Sequence, residues 1–337
     1  MSWSPVSISP HGDNLIFLIS QPRAGSTMLQ KILGSHPWIH TVSEPWIALH
    51  PLFALRESGS TADFDQLLGW RAVNHFLNDL PEGEEAYYEG LRRMIGYLYS
   101  RALQQSGKRV FLDKTPRYYF IVPELRRLFP RAKIVFLLRN PVAVLSSILE
   151  SWCPGNPAME LGSARHDLMT APELILRGIR EAGAGAIVAR YEEIVSQPET
   201  AIRRLCHQLG VAFHPAMIHY GQGAENQPRW FYGDQETVYR EKAPVTERAD
   251  RWRRVFHQAP KWGAWARGYL AALGPSTIRE MGYRYEDLCR ALPFTAESDA
   301  WPSLMRFDYD QARRDRGSRM VERQPADTVM SRTAVKA

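Results

Sequence analysis

Apolar and polar positions follow two different periods near the N-terminus. Residues 14–20 (NLIFLIS) form a short, nearly continuous apolar run, which is typical of a strand buried on both faces of a sheet. Residues 26–33 (STMLQKIL) carry apolar side chains at positions 28, 29, 32 and 33, which is helical spacing. The pattern therefore predicts a strand, a loop and a helix in succession.

Further units of the same kind follow along the chain. Apolar runs predict strands over residues 38–43, 109–113, 133–138 and 186–190. Helical spacing recurs over residues 142–149 and 198–209. Strands that alternate with helices predict an α/β fold in which a doubly wound parallel sheet has helices on both faces.

The segment between the second and third predicted strands is too long for a plain crossover. Over residues 52–107 the apolar side chains are grouped as in amphipathic helices, so we expect a helical cap over the carboxyl edge of the sheet. From about residue 310 the chain loses periodicity and becomes polar and charged. We therefore expect one domain over residues 1–309, with the cap as an insertion, and a disordered basic tail over residues 310–337.

Composition narrows the class of protein. The chain has 337 residues, of which 45% are hydrophobic and 23% charged, as in a globular protein. No apolar run approaches the about 20 residues of a membrane span, and the N-terminus lacks the pattern of a secretory leader. Three distant cysteines (Cys153, Cys206 and Cys289) fit neither a disulfide framework nor a closely spaced metal site, which favours a reducing, cytoplasmic compartment.

The charge of the chain is modestly basic. Of the net charge of +6, half comes from residues 310–337, which hold seven Lys and Arg against four Asp and Glu. Clusters of Lys and Arg with interleaved aromatic residues do not stand out, so a nucleic-acid partner is not expected. A small polyanionic ligand accounts equally well for this balance.

Residues 21–27 (QPRAGST) connect the first predicted strand to the first helix. A loop at a helix N-terminus is an anion site because its free backbone N–H groups point outward. Arg23 adds a planar positive charge, and Gly25 lets the backbone approach a ligand closely. Ala24 contributes backbone to the turn, while Ser26 and Thr27 add hydroxyl donors. A tight strand–helix turn with a surface arginine is the alternative; the ATP-binding pattern is absent, since no Lys precedes Ser26.

A second phosphate motif follows the strand over residues 133–138. Arg139 stands at the end of this strand, and Ser147 lies eight positions later on the next helix, so that guanidinium and hydroxyl can share one phosphate. Taken alone, this stretch also fits a strand-to-helix turn that begins with Pro141. Together the two motifs resemble the 5′-phosphosulfate loop and the 3′-phosphate motif of sulfotransferases that use 3′-phosphoadenosine 5′-phosphosulfate (PAPS).

This resemblance implies a P-loop-like fold, PAPS as co-substrate, no metal, and transfer of a sulfuryl group to a hydroxyl. Tyr191 resembles the tyrosine that lies near the adenine in this family, and Lys242 falls in a stretch similar to the late loop that closes over the nucleotide. The implied PAPS-binding residues are Arg23, Ala24, Gly25, Ser26, Thr27, Arg139, Ser147, Tyr191 and Lys242.

The resemblance also implies the catalytic groups. Glu44 follows the second predicted strand, 21 positions after Arg23, as the base does in the tyrosylprotein sulfotransferase branch. Lys114 lies in residues 113–116 (DKTP), similar to the Lys-Thr-Pro segment of carbohydrate and other sulfotransferases, where it would neutralise the leaving phosphate together with Arg23. A histidine base also remains open, the nearby ones being His36, His40 and His50.

Two other functions are compatible with parts of the sequence. A magnesium-dependent kinase or ATPase would use Asp113, which ends an apolar strand as the metal-holding carboxylate of such enzymes does. A non-catalytic nucleotide-binding protein would keep the phosphate motifs without a base. For the sulfotransferase, we expect a hydroxylated small molecule rather than a protein as the acceptor.

Overall fold

Five buried apolar runs form one parallel sheet. The computed structural model describes residues 6–60, 64–153, 155, 157–221, 240–294 and 301–305. The strands are β1 (Leu15–Ser20), β2 (Ile39–Ser43), β3 (Val110–Lys114), β4 (Lys133–Leu138) and β5 (Ile187–Arg190). Their order in the sheet is β2-β3-β1-β4-β5, so that β1 lies in the centre between two strands that come later in the chain. Each predicted strand is confirmed to within one residue at either end.

Helices connect the strands and follow the last of them. Their bounds are α1 (Ser26–Gly34), α2 (Leu49–Phe53), α3 (Gln66–Asn78), α4 (Glu84–Ser106), α5 (Val122–Leu128), α6 (Pro141–Trp152), α7 (Pro157–Glu160), α8 (Ala171–Ala182), α9 (Tyr191–Ser196), α10 (Pro198–Leu209), α11 (Glu247–Gln258), α12 (Pro260–Glu280), α13 (Tyr285–Ala291) and α14 (Trp301–Leu304). Short 3₁₀ turns lie at Pro116–Ile121, Leu161–Ala164, Gly183–Gly185 and Pro215–Met217, and His166–Thr170 forms a π-helical turn. Gly274, with a φ of +80°, bends α12 just before Pro275.

Alternate side chains of the sheet enter two separate cores. One core contains Ile16 and Leu18 of β1 together with buried side chains of α1, α6 and α10. The other contains Leu15 and Phe17 of β1 together with buried side chains of α4, α5 and α8. Successive side chains of a strand point to opposite faces, so helices on both faces are needed to bury continuous apolar runs. The doubly wound α/β fold is confirmed.

The long segment between β2 and β3 is helical, as expected, and consists of α2, α3 and α4. Its main helix, α4, lies along one face of the sheet, because Tyr99 stacks on Phe111 with ring centroids 4.4 Å apart. In this position α4 serves as the crossover helix of a parallel β-α-β unit. Not every apolar residue of this segment is buried, since Phe64 and Leu68 are 66% and 63% exposed.

The structure leaves the domain boundaries as predictions, since residues 306–337 lie outside the described part of the chain. Within that part, none of the helices combines the length and the apolar character that crossing a membrane requires.

Candidate active site

The candidate site lies along the carboxyl edge of the sheet. With a strand spacing of about 4.8 Å, the residues after β2 and those after β4 lie roughly 14 Å apart there. A cavity of about 770 Å³ opens at this edge, as expected for a ligand site in an open α/β sheet. Its lining includes eight of the predicted residues: Arg23, Gly25, Ser26, Thr27, Glu44, Arg139, Ser147 and Tyr191.

The loop between β1 and α1 leaves the first backbone N–H groups of the helix without a side-chain cap. Gly25 stands at the N-cap position with a φ of +95°, and Ser26 and Thr27 are the first residues of α1. A Cβ atom at Gly25 would lie 2.4 Å from the ring of Tyr191, so both the backbone conformation and the space exclude a side chain. The side chain of Ala24 lies in the core, and its N–H donates to the carbonyl of Gln21.

Arg23 joins the two predicted phosphate motifs. Its Nε donates to Oγ of Ser147 at 3.1 Å, and its Nη2 donates to Oγ of Ser151 at 3.0 Å. Nη1 of Arg139 in turn donates to the carbonyl oxygen of Arg23 at 2.9 Å. Residues more than a hundred positions apart in sequence therefore form one polar surface.

Arg139 is held by its surroundings but keeps an unused donor. Its guanidinium lies 4.1 Å from the ring centroid of Tyr191, and its Nη2 donates to the carbonyl of Arg248 at 3.1 Å. Nε of Arg139 is buried and has no hydrogen-bond partner among the described residues. A buried N–H without a partner costs free energy.

The late loop contributes arginines rather than the lysine that the sequence suggested. Lys242 is exposed and does not line the cavity; its backbone carbonyl accepts a hydrogen bond from the N–H of Gly221. The cavity is instead lined here by Arg248, which pairs with Glu241, and by Arg251, which pairs with Glu150. Both arginines lie in residues 248–252 (RADRW), which belong to the same stretch that resembles the family's late loop, although Lys242 was the residue expected to bind the nucleotide.

Glu44 and Lys114 lie side by side after β2 and β3. Nζ of Lys114 donates to Oε1 of Glu44 at 2.8 Å, and the N–H of Glu44 donates to the carbonyl of Lys114 at 2.9 Å. Lys114 is fully buried, whereas Glu44 lines the cavity. Burial lowers the pKa of Lys114, and the neighbouring carboxylate opposes this shift.

The backbone is strained at the same edge. Among the described residues, Arg23, Glu44 and Trp46 are the non-glycine residues with positive φ, at 67°, 50° and 56°. Such conformations cost on the order of 1–3 kcal/mol each and cluster at functional sites. Their occurrence beside one cavity supports a functional role for the turns after β1 and β2.

The three histidines considered as alternative bases lie elsewhere. His36 precedes β2, on the amino side of the sheet, and its Nε2 is 2.9 Å from the carbonyl oxygen of Ala212. The ring of His40 packs against Phe111. His50 is exposed on α2, and none of the three lines the cavity.

A further charged pair was not anticipated from the sequence. Arg117 lines the cavity near Glu44 and donates twice to the buried carboxylate of Asp167. Burial works against the charge of Arg117, but the contacts with Asp167 outweigh burial, so the pKa of Arg117 lies above its ordinary value.

Asp113 is turned away from the cavity. Its buried carboxylate accepts hydrogen bonds from the hydroxyls of Tyr99 and Thr115. Burial raises the pKa of Asp113 to about 6, although these hydrogen bonds oppose the rise. A carboxylate in this position does not face the cavity in which a nucleotide would bind. Asp113, on which the kinase hypothesis depends, therefore does not support that hypothesis. In the described ranges, no group of three or more His, Cys, Asp and Glu side chains is placed to hold a metal ion.

Comparison with known proteins agrees with this geometry. The model of the sulfotransferase family matches residues 15–215, more than half of the chain. The chain therefore belongs to the sulfotransferase family.

Two curated relatives and one solved structure illustrate the likeness. The nodulation protein NoeE of Sinorhizobium fredii is 28% identical over 274 residues, which cover 71% of this chain and 60% of NoeE. A putative protein-tyrosine sulfotransferase of Caenorhabditis briggsae is 23% identical, covering 63% of this chain and 72% of that protein. The sulfotransferase domain of the Synechococcus PCC 7002 olefin synthase shares the fold, with a TM-score of 0.52, 23% identity, and coverage of 84% of this chain and 98% of that domain.

Proposed function

We propose that this chain transfers a sulfuryl group from PAPS to the hydroxyl of an acceptor. The observation that carries the proposal is the meeting of the loop at α1 with Arg139 and Ser147 on one cavity wall, in a chain of the sulfotransferase family. One phosphate at the helix N-terminus and a second beside Arg139 suit a nucleotide with phosphates at two positions.

The cavity fits such a donor in three respects. The N-terminus of α1 is capped by a glycine and offers backbone N–H groups to a 5′-phosphosulfate, with Ser26 and Thr27 beside them. Arg139 lines the cavity beside Ser147, so that its guanidinium would pair with a 3′-phosphate. Tyr191 lines the cavity between Gly25 and Arg139, where the adenine of the donor would lie.

The proposed chemistry assigns one role to each catalytic group. Bound PAPS supplies an activated sulfuryl group. Glu44 accepts the proton of the acceptor hydroxyl through Oε2, the oxygen that Lys114 does not hold. The acceptor oxygen forms its bond to sulfur while the bond from sulfur to the 5′-phosphate oxygen breaks. Arg23, which lines the cavity, neutralises the charge that remains on the phosphate, and the buried Lys114 contributes its charge from behind Glu44.

The absence of a metal requirement, the class of the acceptor and the cellular location are also proposals. The proposed transfer uses no metal, and the acceptor is a hydroxylated small molecule. A cytoplasmic location, inferred from the cysteines, also remains a prediction.

Calorimetric titration without added metal tests the donor site. We expect 3′-phosphoadenosine 5′-phosphate (PAP) to bind with micromolar affinity and at least tenfold more tightly than ATP or adenosine 5′-phosphate. Absence of PAP binding, or a preference for ATP that depends on magnesium, would overturn the proposed function.

A further inference from the structure

The end of the cavity beside Glu44 contains an arginine that is fixed from behind. Nε of Arg117 donates to Oδ1 of Asp167 at 2.9 Å, and Nη2 donates to Oδ2 at 2.6 Å. The side chain of Arg117 is 33% exposed and lines the cavity, whereas that of Asp167 is 3% exposed. The cation thus faces the cavity while its countercharge is hidden from any ligand.

Several groups hold Asp167 in this position. The hydroxyl of Tyr119 donates to Oδ1 of Asp167 at 2.7 Å. Nε2 of Gln21, in the loop that follows β1, donates to the backbone carbonyl of Asp167 at 2.9 Å. Asp167 lies in the π-helical turn His166–Thr170, a rare conformation that is frequent at functional sites. The Arg117–Asp167 pair is therefore held rigidly in the cavity wall, and Gln21 links it to the proposed phosphate loop.

Charges are balanced at this end of the cavity. Lys114 is paired with Glu44, and Arg117 is paired with Asp167. At the other end, Arg139 has no carboxylate partner in the described part of the chain, and its buried Nε is unused. The uncompensated positive charge therefore lies where the donor phosphates are proposed to bind.

Aromatic rings flank the balanced end. The guanidinium of Arg117 lies 5.7 Å from the ring centroid of Trp46 and 5.8 Å from that of Trp152, and Trp152 lines the cavity. A charged acceptor group placed here would lose hydration without gaining an uncompensated partner. A flat uncharged ring would retain the contacts that indole and guanidinium surfaces favour.

We propose that the Asp167–Arg117 pair determines acceptor specificity, selecting an uncharged aromatic hydroxyl compound over an anionic one. Asp167 cancels the charge of Arg117 and thereby removes the attraction that a bare arginine in the cavity would exert on a carboxylate. Arg117 is left as a rigid polar surface beside the proposed base. This inference rests on the proposed function.

Three phenols of matched size test the inference with PAPS as donor: 4-ethylphenol, 4-hydroxyphenylacetate and tyramine. The native protein should have a kcat/KM for 4-ethylphenol at least about tenfold above that for the anion, and above that for tyramine. Asp167→Asn leaves the charge of Arg117 uncompensated. The ratio of kcat/KM for 4-hydroxyphenylacetate to kcat/KM for 4-ethylphenol should therefore rise at least about tenfold. Replacing both residues, Arg117→Gln with Asp167→Asn, should restore the preference for 4-ethylphenol.

The controls distinguish the effect of the changed charge from an effect on folding. Asp79→Asn makes the same substitution at an exposed site and should leave the acceptor ratio unchanged. PAP affinity and melting temperature are measured for each variant, and if Asp167→Asn does not fold, the acceptor panel of the native protein decides alone. Equal rates with neutral and anionic phenols overturn the inference, as does an unchanged ratio in a folded Asp167→Asn protein. The inference is also overturned if the native protein binds PAP but sulfates none of the three phenols. If the native protein does not bind PAP, the proposed function itself is overturned.

Discussion

Glu44 and Lys114 neutralise each other at the ends of β2 and β3. The pair joins a fully buried ammonium group to a carboxylate that reaches the cavity. Because removing one partner of a buried pair leaves an uncompensated charge, we expect Lys114 to be needed to hold the Glu44 carboxylate in place. An ionised carboxylate is the form in which a general base acts.

Replacing Glu44 should separate turnover from donor binding. In Glu44→Gln the amide cannot accept the proton, so we expect turnover to fall at least about 100-fold while PAP affinity stays within a few-fold. Steady-state kinetics and calorimetry measure the two effects. Glu57→Gln makes the same change at an exposed position and serves as the matched control. If Glu44→Gln is about as active as the native protein, Glu44 is not the general base.

Asp113 makes the stability of the fold depend on pH. Its folded pKa of about 6 lies above the ordinary value of 3.8, so the folded state holds the proton more tightly than the unfolded chain. The carboxyl group therefore stabilises the fold least above pH 6, and its contribution declines as the pH rises from about 4 to 6.

The variant Asp113→Asn tests this dependence. Between pH 5 and pH 7 the native protein should lose on the order of 1 kcal/mol of unfolding free energy relative to the variant, because the amide does not titrate. Urea unfolding at pH 5, 6 and 7 gives the difference, with Asp79→Asn as the exposed control. Parallel pH profiles for native protein and Asp113→Asn would contradict the assignment.

At the scale of elements, the junction of β1 and α1 depends on a single glycine. Gly25 combines a φ of +95° with close contact to the ring of Tyr191, so the strand can turn into the helix only without a side chain there. The same contact brings the loop against the residue that follows β5. One turn thus couples a central strand to an edge strand.

Gly25→Ala should disrupt this junction. We expect a loss of about 2 kcal/mol or more in stability and at least tenfold in PAP affinity, because the new Cβ would meet the Tyr191 ring at 2.4 Å. Gly107→Ala is the matched control: its φ is +66°, but no atom lies within 4 Å of the added Cβ. The control should lose about 1 kcal/mol and retain PAP affinity. Equal affinities in the two variants would argue against a role of the loop in binding.

Elements differ in how far the sequence predicts them. β4 coincides with its predicted range because a parallel strand buried on both faces is apolar at nearly every position. Glu44 was placed at the sheet edge because the second strand was predicted to end just before it, as β2 does. The pairing of Arg117 with Asp167 had no such signal, because the two residues are 50 positions apart and meet only through the tertiary fold. Lys242 stays a prediction: it does not line the cavity formed by the described residues, and no local pattern tells a cavity-lining cation from a solvated one.

At the scale of the whole molecule, the proposed donor site joins loops that follow β1, β4 and β5. A ligand that contacts all of them binds only the folded state and therefore stabilises it. At a concentration of 100 times its Kd, PAP should raise the melting temperature by on the order of 4 °C.

Differential scanning fluorimetry measures this shift and the contribution of Arg139. In Arg139→Ala the stabilisation by PAP should fall strongly, while that by adenosine 5′-phosphate should change little, because only PAP carries the 3′-phosphate. Arg131→Ala removes an exposed arginine and should leave both shifts intact. Equal losses with the two nucleotides would show that Arg139 does not read the 3′-phosphate.

The central position of β1 has a consequence for folding. β1 precedes the other described strands in the chain, yet its neighbours in the sheet are residues 111–114 and 133–137. Long chain segments must close before these strands can pair, which makes such contacts slow to form. A nascent chain that ends before β4 exposes an apolar strand with one side unpaired, the kind of surface that aggregates or recruits chaperones. We therefore expect the loop after β1 to become ordered only late in folding, although its residues are synthesised before the strands that flank β1 in the sheet.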